Sequence, residues 1–337
     1  MRRTELDLCR IFGCLAVLMI HAGADIYHEV PIQSFSFVLL NYISTAVRGG
    51  VPLFFMLSGA LFLSRAKLDT RRLLIRHALR MTGLFYLWSL FYALLRVLSG
   101  ALAFGQDFLL AVVSGHYHMW FLPAMVMCYL FFPPVHAALH GQKLDGRYLL
   151  GLFFGLGLLM ANLNLTPDPA PVLFRFTQNF SLDYLPYLGY AVWGWWLSSK
   201  KLPEKTLWLA LLVYLLVTLI AAGCNRWYSG YKGAADGWLF SFFSIPSFLQ
   251  ASAAFCFFLA LRGRDFRHGA FIAKLADATL GVYLIHPLMI NVLERVGLAV
   301  TPEAPVLSLL EFFAVLSVVC FAIALVARRI PGLQKIM

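Results

Sequence analysis

The stretch MRRTELDLCRIFGCLAVLMIHAGAD, residues 1–25, reads as a membrane helix that carries an arginine and a histidine where lipid makes both costly. Arg10 and His21 are eleven residues apart. At about 3.6 residues per turn that is close to three turns, so both side chains share one face, roughly 16 Å apart along the axis. Asp7, one turn before Arg10, is placed to pair with it, and Asp25, one turn after His21, to hold its ring. An ionisable side chain inside a bilayer needs a cavity or a partner, which marks this face as a candidate site. The basic start, the apolar run and Ala22-Gly23-Ala24 imitate a signal peptide. Glu5, Asp7 and Arg10 break that pattern, so the segment is expected to remain as a first span.

The whole chain extends the reading. It is 337 residues long, 61% hydrophobic and 13% charged, whereas a soluble domain is nearer half apolar and a quarter charged. The expected fold is an all-α integral membrane protein. It is a bundle of about ten transmembrane helices with both termini cytoplasmic, in a single polytopic domain over 1–337. No polar stretch is long enough to fold a soluble domain. The net charge of +11 fits either nucleic acid or membrane topology. Going span by span, only Arg48, Arg96, Arg175, Arg226, Lys232 and Arg295 fall on one side, and nearly all the remaining Lys and Arg fall on the other. That is the positive-inside pattern, and it makes a nucleic-acid partner unnecessary. The six cysteines form no CxxC, and five of them lie in or beside apolar runs. They read as small core residues, with no disulfide frame and no metal site.

A bilayer of roughly 30 Å asks for about twenty residues per span. The expected spans are 6–24, 37–63, 81–99, a fourth from the HYHMWFL stretch to 139, 148–165, 182–197, 207–222, 238–261, 276–293 and 305–327. The segment 64–80 reads as an amphipathic inner-surface piece with Leu73, Leu74, Ala78 and Leu79 on one face. Residues 107–115 read as an interfacial or re-entrant piece. The fourth span is expected to kink or end at Pro133-Pro134. Loops are expected at 166–180 and 224–237. No internal repeat and no pair of inverted halves is evident.

Asp7-x-x-Arg10 followed by ten residues and His21 resembles the start of the membrane acyltransferase 3 family. Further stretches match in order: RGGVPLFFMLSG (48–59), the Arg76 and Arg80 pair before FYLWSLFY, HYHMWFL (116–122) and LGVYLIHPL (280–288). The resemblance covers the whole chain and looks closest to the branch containing the enterobacterial common antigen O-acetyltransferase. The compact form is expected to carry no appended hydrolase-like domain. The resemblance implies a bacterial inner-membrane O-acyltransferase. Such an enzyme moves an acyl group, usually acetyl, from cytoplasmic acetyl-CoA to a hydroxyl of a cell-envelope polysaccharide or lipid-linked glycan. The alternative class is a polytopic transporter or flippase, in which paired broken helices would be expected.

Acyl transfer to an alcohol needs a base, donors for an oxyanion, and cations for the donor's phosphates. Histidine suits the first task, so His21 is the candidate general base, or an acyl-carrying nucleophile, with Asp25 orienting it. Arg10 is the candidate coenzyme ligand, because a guanidinium grips phosphate bidentately, and Arg76 and Arg80 would add phosphate contacts. The competing reading makes Asp7–Arg10 a packing ion pair and His21 a hydrogen-bonded bundle histidine. Arg48 is a candidate for an anionic acceptor or an oxyanion, or else a snorkelling interfacial arginine. His118 and Trp120 are candidate sugar contacts, or else belt anchors. Tyr283 and His286, three apart on one face, are candidate substrate contacts, or else a buried Tyr–His hydrogen bond. Asp277 is expected to cap its helix or pair with Lys274. Ser58 reads as helix packing, and Gly59 as a place of close helix approach.

Overall fold

A computed structural model describes residues 2–142 and 182–336. In chain order its main helices are α1 (Thr4–Ala22), α2 (Phe35–Ala46), α3 (Gly50–Phe62), α4 (Leu79–Leu98), α5 (Gln106–Ser114), α6 (Phe121–Leu139), α7 (Pro186–Ser199), α8 (Lys205–Lys232), α9 (Ile245–Leu259), α10 (Gly269–Arg295) and α11 (Pro305–Ala327). No strand occurs among the described residues.

Six helical runs are long and apolar enough to cross a membrane: Phe35–Phe62, Thr70–Leu98, Tyr117–Leu139, Lys205–Lys232, Gly269–Arg295 and Pro305–Ala327. They correspond to the second, third, fourth, seventh, ninth and tenth expected spans. The first, α1, has the length, at 19 residues, but carries Glu5, Asp7 and Arg10. The sixth and eighth are short, with 14 residues in α7 and 15 in α9. The fifth span and the loop at 166–180 lie outside the described residues.

The second span is not the continuous helix expected at 37–63. It breaks between α2 and α3. Pro52, in the first turn of α3, has no N–H for the Arg48 carbonyl, and the glycine pair at the break is closely packed: an added Cβ on Gly49 would come 2.9 Å from the Ala251 nitrogen, and one on Gly50 2.5 Å from the Ala16 Cβ. The basic segment is also more ordered than expected. Asp69 accepts from the Arg72 N–H at 2.9 Å, as an N-cap does. A helical turn from Thr70 then runs through a π-helical stretch, Leu74–Ala78, into α4. Leu73 and Ala78 are buried there, Leu74 is half-buried and Leu79 is exposed.

Other limits moved for local reasons. α6 continues through Pro133 and Pro134 to Leu139. α8 absorbs most of the expected 224–237 loop and stops only at Gly233, whose φ of +73° suits glycine. At 28 residues it is about 42 Å long. α10 starts at Gly269 rather than at 276.

The chain divides into two compact units, one of Met1–Leu57 with Trp196–Met337 and one of Ser58–Trp195. In the first, α1 packs against α9, α10 and α11, and α8 lies against α2 and α9. Hydrocarbon gives no hydrophobic drive between helices, so small residues that admit close approach do the joining. Gly13 is one: a Cβ there would sit 3.1 Å from the Gly50 carbonyl. In the second unit α4 packs against α5 and α6. There Gly59 lies so close to α7 that an added Cβ would fall 1.7 Å from the Ala191 oxygen, as its sequence context suggested.

Candidate active site

α1 is unbroken from Thr4 to Ala22, so Arg10 and His21 keep their common face. Its first turns carry an ionic network. The Arg2 guanidinium grips Asp277 at 2.7 and 3.1 Å and Asp7 at 2.5 and 3.2 Å, and donates to the Ala273 carbonyl at 3.0 Å. Arg328 completes the cluster, with Nη2 3.7 Å from Asp277 and Nη1 donating to the Asp277 carbonyl at 2.8 Å. Arg10 reaches Asp7 only at 3.9 Å. The expected Asp7–Arg10 pair is therefore secondary, because Arg2 holds the carboxylate. The expected Asp277–Lys274 pairing is replaced by Arg2 and Arg328. Asp277 first, then Asp7, holds the Arg2 guanidinium above its ordinary pKa. Beside this cluster Glu5 takes Arg3 at 2.8 Å and Arg262 at 3.7 Å. Burial, and then the neighbouring Arg3, pushes Arg262 down.

At the far end of α1 the His286 ring lies against His21. Their ring centroids are 4.9 Å apart and tilted by 38°. His21 is half-buried and His286 wholly buried. Tyr283 lies one turn earlier on α10, its ring 6.1 Å from that of His286. The His286 Nδ1 meets the Tyr283 backbone carbonyl at 2.7 Å, rather than the phenol. Asp25 stands exposed past the end of α1, and among the described residues no hydrogen bond joins it to His21.

The break in the second span places Arg48. A helix end inside a membrane leaves carbonyls that must find donors within the protein. Here Ser44 accepts from Arg48 Nε at 3.1 Å and Thr45 from Gln250 Nε2 at 3.0 Å. Ala46 accepts from the Tyr214 hydroxyl, and Val47 from the Gly50 N–H at 3.0 Å. Gln250 also donates to Thr218 at 2.9 Å, and Asn41 to the Ala222 carbonyl at 2.7 Å. The Arg48 guanidinium lies 3.8 Å over the Phe240 ring, a cation–π contact. No carboxylate pairs with it among the described residues. Gln250, Tyr214, Thr218 and Asn41 escaped the sequence reading. The available signal was a carboxamide in the middle of an apolar span, at Asn41 and again at Gln250.

The second unit holds the remaining candidates. Arg76 and Arg80 are exposed. HYHMWFL forms a 3₁₀ turn, Tyr117–Trp120, leading into α6. Gly115 before it has φ +75°, so only glycine enters this turn without strain. His118 is buried, and its Nδ1 is 3.0 Å from that of His116. One ring donates and the other accepts, so neutral rings would be opposite tautomers. Tyr92 stacks on His116 at 4.4 Å. Burial, with Arg96 adding repulsion, lowers the His116 pKa to about 4. Trp120 is half-buried, 5.4 Å from Tyr187. The more accessible imidazole of the pair is thus His116, which sequence reasoning had not chosen. Arg10, His21, Arg48, Tyr283 and His286 belong to the first unit, and Arg76, Arg80, His118 and Trp120 to the second.

A family described as an acyltransferase domain matches residues 3–329. Among curated proteins, an amino-acid racemase of Enterococcus faecalis is 26% identical over 348 aligned positions, covering 95% of this chain and 45% of that protein. The chain therefore spans less than half of that relative, whose name describes the whole protein. No solved structure matches the chain significantly.

Proposed function

Because this chain belongs to the acyltransferase 3 family over nearly its whole length, we propose that it is a membrane O-acyltransferase. The donor is acetyl-CoA, and the acceptor is a hydroxyl of a cell-envelope polysaccharide or lipid-linked glycan. The proposal includes the branch of the enterobacterial common antigen O-acetyltransferase, a bacterial inner-membrane location, ten spans with cytoplasmic termini, and one acyltransferase domain over 1–337. The racemase name of the relative is not carried over, since more than half of that protein lies outside the match. The broken second span is the one observation favouring a transporter or flippase, and family membership outweighs it.

The observation that supports this reading best is α1 itself, with Arg10 and His21 on one face of an unbroken helix. In the proposed step His21 removes the proton from the acceptor hydroxyl as its oxygen attacks the thioester carbonyl. The tetrahedral oxyanion collapses, the carbon–sulfur bond breaks, and the departing sulfur takes the proton back from His21. The products are an acetyl ester and coenzyme A. Arg10, not fully engaged by Asp7, is suited to the coenzyme's phosphates. Arg76 and Arg80 offer exposed guanidinium groups suited to the same chemistry on their own unit. Arg48, a cation without a carboxylate partner among the described residues, is suited to an anionic acceptor or the oxyanion. Tyr283, His286, His118 and Trp120 are proposed acceptor contacts, and Asp25 is the proposed orienting acid.

The test is incubation of the purified chain with acetyl-labelled acetyl-CoA and envelope lipid and polysaccharide fractions. Label should enter an alkali-labile ester with the wild type and not with His21→Ala, while coenzyme binding is retained. Wild-type levels of transfer by His21→Ala would refute the assignment of the base.

A further inference from the structure

Pro287 lies inside α10. It has no N–H, so the carbonyl four residues earlier, that of Tyr283, loses its helical donor. A carbonyl left so inside a membrane must be satisfied by another group. His286 supplies it, with Nδ1 2.7 Å from the Tyr283 oxygen. A carbonyl can only accept, so the proton is on Nδ1, and a neutral ring then carries a lone pair on Nε2. The ring so fixed is wholly buried and lies against His21, 4.9 Å between centroids.

We propose that Pro287 and His286 form a tautomer lock, in which the carbonyl freed by the proline fixes the His286 ring, and that His286 so fixed is a positioning residue for His21. The second half rests on the reading of His21 as general base. The lock itself rests only on the backbone chemistry of α10. The proline serves to expose an acceptor, and the histidine beside it is the side chain that reaches it. The ring then has one permitted tautomer and one orientation, and the imidazole of α1 rests on a surface that does not turn. A base held in one orientation gains in rate by proximity and alignment rather than by added binding. Loss of the lock should therefore fall on kcat and leave the donor KM alone.

Pro287→Ala restores a backbone N–H that can bond the Tyr283 carbonyl, and it releases His286. With ¹⁵N-labelled histidine in the full chain, wild-type His286 should show a protonated Nδ1 and an unprotonated Nε2. Pro287→Ala should show a mixture of tautomers. An unchanged spectrum in Pro287→Ala overturns the lock. Thermal stability gives a second readout through a double-mutant cycle. His286→Ala should lower Tm by about 2–4 °C in the wild-type background, because the carbonyl is orphaned, and by less in Pro287→Ala. Equal losses in both backgrounds also overturn it. For the positioning role, His286→Ala and Pro287→Ala should each lower kcat about tenfold or more without changing the donor KM. Unchanged kcat in both, with His21→Ala inactive, overturns the positioning role and leaves the base assignment standing. Retained transfer in His21→Ala overturns base and positioning together, and the ¹⁵N signature still judges the lock alone.

Discussion

Replacement of Arg2 by alanine tests whether the ionic clamp at the start of α1 sets the freedom of Arg10. Arg2 is 45% exposed, the Asp7 side chain 8% and the Asp277 side chain 36%. Breaking one side of a buried ion pair costs about 3–5 kcal/mol. Solvent at Arg2 and Asp277 screens part of that, so the expected loss is about 2 kcal/mol. That corresponds to a fall in Tm of about 4–8 °C. The functional consequence follows from the geometry. With Arg2 gone, Asp7 remains a nearly buried carboxylate, and the nearest cation is Arg10, now 3.9 Å away. A small rotamer change closes that gap to about 2.8 Å. Arg10 then becomes the pair that sequence spacing suggested, and is lost to the coenzyme. The donor KM should rise about tenfold, equivalent to about 1.4 kcal/mol, with kcat little changed. Arg2→Ala combined with Asp7→Asn should bring the donor KM back towards wild type, because no carboxylate remains to hold Arg10. The measurements are thermal unfolding in detergent and initial rates against acetyl-CoA concentration. A Tm within a degree of wild type together with an unchanged donor KM would refute the reasoning.

Gly59→Ala should abolish accumulation of folded protein, since its Cβ would fall 1.7 Å from the Ala191 backbone oxygen; size-exclusion chromatography of the expressed variant reads this. Gln250→Leu orphans the Thr45 carbonyl and should cost about 1–3 kcal/mol, seen as a lower Tm; Gln250→Glu keeps the volume but also removes the N–H donor, so it should lose at least as much, and a Glu variant as stable as the wild type would contradict the hydrogen-bond argument. His116 is held neutral in the fold with a pKa near 4, against about 6.5 in an unfolded chain. Its contribution to stability is full above about pH 6.5 and is lost as pH falls from there through 4, because the unfolded state takes up the proton first. His116→Phe should flatten that part of the stability curve in acid unfolding, and an unchanged acid limb would contradict the burial argument.

The legible parts of the fold were those fixed by nearby residues. The bounds of α11 follow from Pro305 at its start and Arg328-Arg329 at its end, and the structure reproduces 305–327. The C-terminal end of α8 was misplaced because Asn225 to Lys232 is polar. Hydropathy marks where lipid ends, and a helix continues in water until glycine stops it. The break at 47–49 had local signals in Arg48, Gly49-Gly50 and Pro52, but the long apolar run on either side masked them, and the partners in α1 and α9 that pack on the glycines are not visible in local sequence. In the candidate site, the common face of Arg10 and His21 came directly from helical period. The pairing of Asp277 with Arg2 spans 275 residues, and local i,i+3 logic offered Lys274 instead. Tyr283 and His286 were recognised as a pair, yet which ring faces His21 is a tertiary fact that no local spacing contains.

The interrupted second span also implies an order of events during synthesis. Its carbonyl at Ala46 is served by a hydroxyl 168 residues later, and that at Thr45 by an amide 205 residues later. At about 5–20 residues per second the ribosome delivers those partners roughly 10–40 s afterwards. Until then lipid offers these oxygens nothing, and only an uninterrupted helix can satisfy them. The nascent segment should therefore enter the bilayer straight and bend when Tyr214 and Gln250 arrive. The cation at position 48 should thus reach its final place only after α8 and α9 have been made.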